Sequence, residues 1–151
     1  MKPLVIGVGN RWRCDDGVGP RAIDALAAEA RDDVELLILD GEPARLVDAW
    51  AGRASVVVVD AVRGGASPGT VHRVDALGGD LAVAASPSTH GAGVAAAVAL
   101  GRALGRLPER LVVLGTEPAC VGDGGDLSAP VAAAFDELVR RAAEEVATAC
   151  A

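Results

Sequence analysis

The chain has few aromatic residues and an excess of negative charge. Of its 151 residues none is tyrosine, one is phenylalanine and two are tryptophan, and the formal net charge is −7. An acidic surface repels nucleic-acid phosphates, and so few aromatic rings offer little to stack against bases. We therefore do not expect a nucleic acid as a partner.

Cysteine is also scarce. Cys14, Cys120 and Cys150 are odd in number and far apart, and no C-x-x-C pair occurs. Neither a disulfide framework nor a thiolate zinc site is indicated. We interpret the three as buried or incidental thiols, although Cys14 lies beside an acidic pair.

Long apolar runs are missing as well. Hydrophobic residues make up 51% of the chain, yet each run ends well before the ~20 residues that a membrane-spanning helix requires. Asn10, Arg11 and Arg13 interrupt the first apolar run too early for a secretory signal, so the cytoplasm is the expected compartment. We expect one domain over residues 1–151, which would bury about 70% of the surface that the unfolded chain exposes.

Strand and helix patterns alternate along the chain. Apolar runs that end in Gly or Asp predict buried parallel strands, and Thr70 to Val74 alternates like a strand that returns antiparallel. This order predicts a three-layer α/β sandwich around a mixed, mostly parallel sheet of five strands. The predicted strands are 4–9, 34–40, 56–60, 70–74 and 110–115, and the predicted helices are 20–30, 44–51, 94–104 and 128–149.

The segment from Val5 to Gly19 carries the strongest local signal. A buried strand enters a loop with Gly7 and Gly9, and Asp15 and Asp16 follow where a helix should begin. Helix N-termini after glycine loops commonly hold phosphate, but two carboxylates would repel it. A metal or another cationic group fits this loop better.

Three residues far apart in sequence form the candidate metal site. Asp16 opens the first helix, Asp60 ends the central strand, and His90 begins a later helix, so all three can meet at one sheet edge. Two carboxylates and an imidazole suit a borderline divalent metal with an open position. Each residue also has a structural explanation, because Asp caps helices and forms turns and a lone His is commonly a surface or core residue.

Two nucleotide motifs are incomplete. Gly7-x-Gly9 resembles a dinucleotide fingerprint, with Asp40 where a ribose-binding acid would lie, but Trp12 stands where the third small residue is needed. No G-K-[ST] follows a glycine loop, so a P-loop is excluded.

Hydrolase motifs are incomplete too. Ser67 lies in a literal G-x-S-x-G match, but Pro68 has no N–H to donate to an oxyanion, so we predict a turn. No H-E-x-x-H occurs. His72 lies in a short strand without a neighbouring acid in sequence, and we interpret it as a surface residue.

Four motifs together resemble the nickel-iron hydrogenase maturation endopeptidases. They are the Gly7-Val8-Gly9-Asn10 loop with its Asp15-Asp16-Gly17-Val18-Gly19 ending, the strand end at Asp60, Ser88-Thr89-His90, and Gly115-Thr116-Glu117-Pro118. Their order and spacing span nearly the whole chain, and the first motif is the most specific.

The resemblance implies an activity and a site. Members remove a short C-terminal peptide from the hydrogenase large-subunit precursor after nickel insertion, and the substrate supplies the nickel. The residues implied to engage that nickel map to Asp16, Asp60 and His90, where Asp16 replaces a Glu found in some members. Asp15 and Asp40 would at most support the site by hydrogen bonds, and helix capping is the favoured role for Asp15. The alternatives are a nickel-recognising docking module that does not cut, and a metal-dependent hydrolase of a small substrate.

Overall fold

The computed structural model describes residues 1–78 and 93–151. Five strands and four helices alternate in these ranges, and a 3-10 turn over Cys14–Gly17 precedes the first helix. The strands are β1 (Leu4–Val8), β2 (Glu35–Leu39), β3 (Ser55–Ala61), β4 (Val71–Asp75) and β5 (Arg110–Thr116). The helices are α1 (Val18–Ala28), α2 (Pro43–Trp50), α3 (Gly93–Leu104) and α4 (Ala129–Cys150).

The strands form one sheet in the order β2-β1-β3-β5-β4. The first four of these run parallel, and β4 pairs antiparallel with β5 at the edge. All seven residues of β3 are buried, as expected for a central strand that helices cover on both faces. The predicted mixed five-stranded sheet is therefore confirmed, including its antiparallel strand.

Two apolar clusters separate the sheet from its helices. On one face, α2 and α3 cover a cluster that contains Leu46, Trp50 and Val98 together with the even-numbered apolar residues of β1 and β3. On the other face, α1 and α4 cover a cluster that contains Leu26 and Leu138 with the odd-numbered valine and alanine residues of the same strands. Alternation along each strand supplies both faces, and the result is the predicted three-layer sandwich.

Helix α1 approaches the sheet unusually closely at a pair of glycines. A Cβ added to Gly19 would lie 2.4 Å from the carbonyl oxygen of Val8 and 2.5 Å from that of Val59. A Cβ on Gly7 would lie 2.4 Å from the carbonyl oxygen of Gly19. Glycine at both positions thus allows the start of α1 to pack directly on the carboxyl ends of β1 and β3.

No helix in the described ranges is both long and apolar enough to cross a membrane. The longest, α4, has 22 residues, but it carries charged side chains along its length. Its buried residues, which include Val131, Leu138 and Val146, lie on one stripe against the sheet.

Candidate functional site

The candidate site lies at the carboxyl edge of the parallel strands. β1 leads there into the loop that contains Asn10, β3 ends there in Asp60 and Ala61, and β5 ends there in Thr116. Functional groups of open α/β sheets collect at this edge because loops and helix N-termini converge on it.

Asp16 belongs to the 3-10 turn and is 5% exposed. The backbone N–H of Asn10 donates to its carboxylate Oδ2 at 3.1 Å and to its carbonyl oxygen at 3.2 Å. Gly9, with φ +135, makes this approach possible, because a Cβ there would lie 1.9 Å from the Asp16 carbonyl oxygen. The glycine loop is thus folded around Asp16.

Asp60 is 1% exposed at the carboxyl end of the central strand. Its Oδ1 accepts a hydrogen bond of 2.8 Å from the backbone N–H of Ala61. Because Gly19 packs α1 against the end of β3, the turn that precedes α1 contacts β3. Sequence and fold therefore bring two buried carboxylates, those of Asp16 and Asp60, to one edge of the sheet.

The third predicted ligand, His90, lies outside the described residues, as do Ser88 and Thr89. Within residues 1–78 and 93–151, no group of three or more His, Cys, Asp or Glu side chains has an arrangement that could hold a metal ion. The complete set of Asp16, Asp60 and His90 accordingly stays a prediction.

Asp15 has a structural environment that the sequence did not predict. It is fully buried, and its carboxylate accepts four hydrogen bonds of 2.7–2.9 Å, from the backbone N–H groups of Ala119, Cys120 and Ser128 and from the Ser128 hydroxyl. Burial alone would raise its pKa, but these donors outweigh burial and hold the pKa below its ordinary value. Asp15 thus ties the turn to the loop before α4.

Glu117 and His72 form a second polar cluster that sequence reasoning missed. The Glu117 carboxylate is 6% exposed and accepts bonds from the backbone N–H groups of Gly64 at 2.9 Å and Gly65 at 3.2 Å. His72 Nε2 lies 2.9 Å from Glu117 Oε2. Burial opposes ionisation of Glu117, yet the Gly64 N–H, the His72 ring and the Gly65 N–H together lower its pKa.

The interpretation of His72 as a surface residue is wrong. Its side chain is only 26% exposed, and its acidic partner, Glu117, directly follows β5 and is 45 positions away in sequence. Gly115 pairs with Asp60 on one side and with His72 on the other, which places all three in one row of the sheet. Val62 covers Gly115, since a Cβ there would lie 2.6 Å from Val62 Cβ. The cluster of Glu117 and His72 therefore lies near Asp60, with the apolar side chain of Val62 between them.

Other candidates have local structural roles. Asp40 is exposed, accepts a bond of 3.1 Å from the Glu42 N–H and pairs with Arg45 at 3.2 Å. Ser67 lies in an exposed turn, as predicted, where its carbonyl accepts the Thr70 N–H at 3.1 Å. These contacts give Asp40 and Ser67 local structural roles that do not involve catalysis.

The three cysteines are free thiols. Cys14 is buried, and burial, together with contact to Cys120, raises its pKa to about 11. A thiol with such a pKa is protonated at neutral pH and is a poor nucleophile. This supports the interpretation of Cys14 as a structural residue.

Known proteins resemble the chain in sequence. The sequence profile of the hydrogenase maturation protease family (HycI) matches residues 20–145. The hydrogenase expression/formation protein HupD of Thiocapsa roseopersicina is 34% identical over 149 residues, which cover 95% of this chain and 67% of HupD. HupD of Rhizobium leguminosarum bv. viciae is 34% identical over 132 residues, which cover 85% of this chain and 65% of that protein. The chain thus spans about two thirds of the length of these relatives.

Solved structures agree with the sequence comparisons. The hydrogenase maturating endopeptidase HybD from E. coli superposes with a TM-score of 0.79 at 26% identity, covering 94% of this chain and 90% of HybD. The NiFe hydrogenase maturation protease HybD from Thermococcus kodakarensis gives a TM-score of 0.73 at 25% identity, with coverage of 95% and 98%. Motifs, fold and both kinds of comparison lead to one conclusion: the chain belongs to the hydrogenase maturation protease family.

Proposed function

We propose that this chain is the endopeptidase that removes the C-terminal extension of a nickel-iron hydrogenase large-subunit precursor after nickel insertion. Membership in a family of hydrogenase maturation proteases supports the reaction class. The observation that carries the proposal is the placement of two buried carboxylates, Asp16 and Asp60, at the carboxyl edge of the sheet.

In this proposal Asp16, Asp60 and His90 engage the nickel that the precursor already holds. Carboxylate oxygens and imidazole nitrogens are suitable ligands for a borderline divalent ion. A site with three protein ligands leaves positions for groups of the substrate, so nickel loading would become a condition for cutting. The ion would act as a Lewis acid on the scissile carbonyl or on a water molecule.

The fold supports this role by fixing the two acids before the substrate arrives. Asp16 is held by the Asn10 N–H and by the close contact of Gly9, and Asp60 by the Ala61 N–H at the end of the central strand. Carboxylates held in place need little rearrangement when a metal-containing substrate binds. Asp15 and its four donors supply this rigidity rather than a ligand.

The cytoplasm is the proposed compartment. Cys14, Cys120 and Cys150 are free thiols, which a reducing compartment preserves.

Mass spectrometry of the precursor tests the proposal. A purified large-subunit precursor loaded with nickel is incubated with and without this protein, and the reaction is followed for a released C-terminal peptide and by size-exclusion chromatography. The proposal predicts loss of the peptide only when the protein is present. A stable complex with an intact precursor would favour the docking module instead. If the precursor is neither cleaved nor bound, both the endopeptidase and the docking module are contradicted, and a hydrolase of a small substrate is favoured.

A further inference from the structure

Trp12 is a large apolar side chain exposed beside the candidate site. It is 74% exposed, whereas Trp50, the other tryptophan, is fully buried. A tryptophan left in water forgoes a large gain from burial, and tryptophan is among the residues most enriched at the centres of binding interfaces. An exposed indole next to a site that must receive another protein therefore needs an explanation.

The backbone on both sides of Trp12 is fixed. Its N–H donates to the Asn10 side-chain oxygen at 2.9 Å, and its carbonyl accepts the Gly124 N–H at 2.8 Å. The Arg13 N–H donates to the Asn10 carbonyl at 3.1 Å. Trp12 is thus presented from a loop that is already ordered, so that little backbone entropy is lost when a partner binds.

The same loop reaches the candidate site directly. The side-chain oxygen of Asn10 accepts a hydrogen bond from the backbone N–H of Trp12. The backbone N–H of Asn10 donates to the Asp16 carboxylate at 3.1 Å and to the Asp16 carbonyl oxygen at 3.2 Å. A single residue therefore connects the backbone of Trp12, which carries the exposed indole, to one of the proposed nickel ligands. A protein that presents its metal to Asp16 would have its surface next to Trp12.

The charges beside Trp12 indicate what kind of side chain it receives. Arg11 pairs with Asp24 at 2.8 Å, and Arg13 pairs with Asp123 at 3.7 Å and donates to the Val121 carbonyl at 3.2 Å. Both flanking guanidinium groups have partners within the chain, which reduces their attraction for an acidic segment. The indole itself is the prominent feature of this surface, and it favours an apolar contact.

We propose that Trp12 is a specificity-determining residue that binds an apolar side chain of the hydrogenase precursor next to the cleaved segment. This inference rests on the proposed function, since it names how that same substrate is held. Trp12 contributes to binding and takes no part in the chemistry, so its removal affects KM and leaves kcat nearly unchanged.

Steady-state kinetics on nickel-loaded precursor provide the first test. Trp12→Ala should raise KM by about tenfold or more, as expected for the loss of a tryptophan at an interface centre, while Trp12→Leu should recover part of the loss. Leu104→Ala is the matched control, because Leu104 is 55% exposed but lies at the far end of α3. An unchanged KM in Trp12→Ala would overturn the inference.

Hydroxyl-radical footprinting of the unmodified protein provides a second test that does not depend on how a variant folds. A millisecond radical pulse is applied with and without excess nickel-loaded precursor, and oxidation of each residue is read by mass spectrometry. Trp12 should become at least about threefold less reactive, in line with its burial at an interface centre, while Met1, which is 89% exposed at the opposite edge, should not change. Undiminished oxidation of Trp12 during active cleavage would contradict the inference alone, whereas absence of cleavage by the native protein would contradict the proposed function.

Discussion

Asp15 and Asp16 are adjacent in sequence but differ in what surrounds their carboxylates. Asp15 accepts four hydrogen bonds from the segment before α4, whereas Asp16 accepts the Asn10 N–H at the carboxyl edge of the sheet. Side chains of consecutive residues in a tight turn point in different directions, so an acidic pair can serve two purposes. One acid holds the turn in place and the other is presented at the site.

We expect Asp15→Ala to lower the free energy of unfolding by about 3 kcal/mol, because it leaves three backbone N–H groups and the Ser128 hydroxyl, all in part-buried hydrogen bonds, without their acceptor. Ser128→Ala, which removes the donor of one of the four bonds, should cost about 1 kcal/mol. Urea unfolding at neutral pH measures both. Equal effects of the two substitutions would contradict the assignment of Asp15 as the anchor of this turn.

The lowered pKa of Asp15 also predicts a pH dependence of stability. A carboxyl group with a depressed pKa in the folded state contributes fully above its unfolded value of about 3.9, and that contribution is lost as pH falls through the folded value. Stability of the native protein should therefore fall steeply below about pH 4. In Asp15→Asn the fall should be shallower, with the remaining slope due to the other carboxyl groups whose pKa values are also lowered, namely Asp33, Glu35, Glu117 and Glu145. Parallel curves would contradict this account.

The two histidines of the chain can be compared directly by the effect of their substitution on cleavage. His90→Ala should reduce cleavage by about a hundredfold, because it removes a proposed nitrogen ligand of the substrate's nickel. His72→Gln keeps a donor toward Glu117 and should retain near-native activity. Peptide release measured side by side, with circular dichroism as a folding control, distinguishes the two. Loss of activity only in His72→Gln would move the site to the Glu117 cluster.

The contact between α1 and the sheet positions the turn that carries Asp16. Gly19→Ala would place a Cβ within 2.5 Å of two backbone carbonyl oxygens, which cannot move as a flexible side chain would. We expect a loss of about 3 kcal/mol or failure to fold. Gly122→Ala is the matched control, since a Cβ there meets nothing within 4 Å and should have almost no effect. Thermal unfolding compares the two, and a stable Gly19→Ala would refute the close-packing argument.

The elements themselves were largely predictable. The uninterrupted valines from Val56 to Val59 indicated a strand buried on both faces. Alternation from Thr70 to Val74 indicated the antiparallel strand, which the structure has over Val71–Asp75. The start of α1 was harder to predict from the sequence. The helix begins at Val18 rather than Pro20, after a 3-10 turn in which Cys14 has φ +49. A backbone conformation that non-glycine residues rarely adopt leaves no readable pattern.

The site was predictable only where it depended on strand ends. Asp60 follows a clear apolar run, so its place at the carboxyl edge followed from the parallel sheet. Two contacts depend on how segments far apart in sequence are placed against each other. They are the pairing of His72 with Glu117 and the hydrogen bond from Ser128 to Asp15. Register depends on packing across the whole sheet and is not encoded in local spacing.

Taken together, the described residues form an α/β scaffold that would present two fixed acids and one exposed tryptophan at one sheet edge. The amino-terminal loop, the central strand and the segment before α4 all contribute to this edge. We propose that nickel in the precursor is recognised there and licenses the cut. Because two proteins take part in this recognition, both must be present in the experiment that tests it.

The most direct measurement is the rate of peptide release from nickel-loaded and nickel-free precursor, for the native protein, Asp60→Asn and Asp40→Asn. Asp40 is the matched control because it lies just after the carboxyl end of another parallel strand, β2, but is exposed. We predict that the native protein and Asp40→Asn cut only the nickel-loaded precursor, and that Asp60→Asn cuts it about a hundredfold more slowly, equivalent to about 3 kcal/mol. Equal cutting of nickel-free precursor, or full activity in Asp60→Asn, would contradict the account.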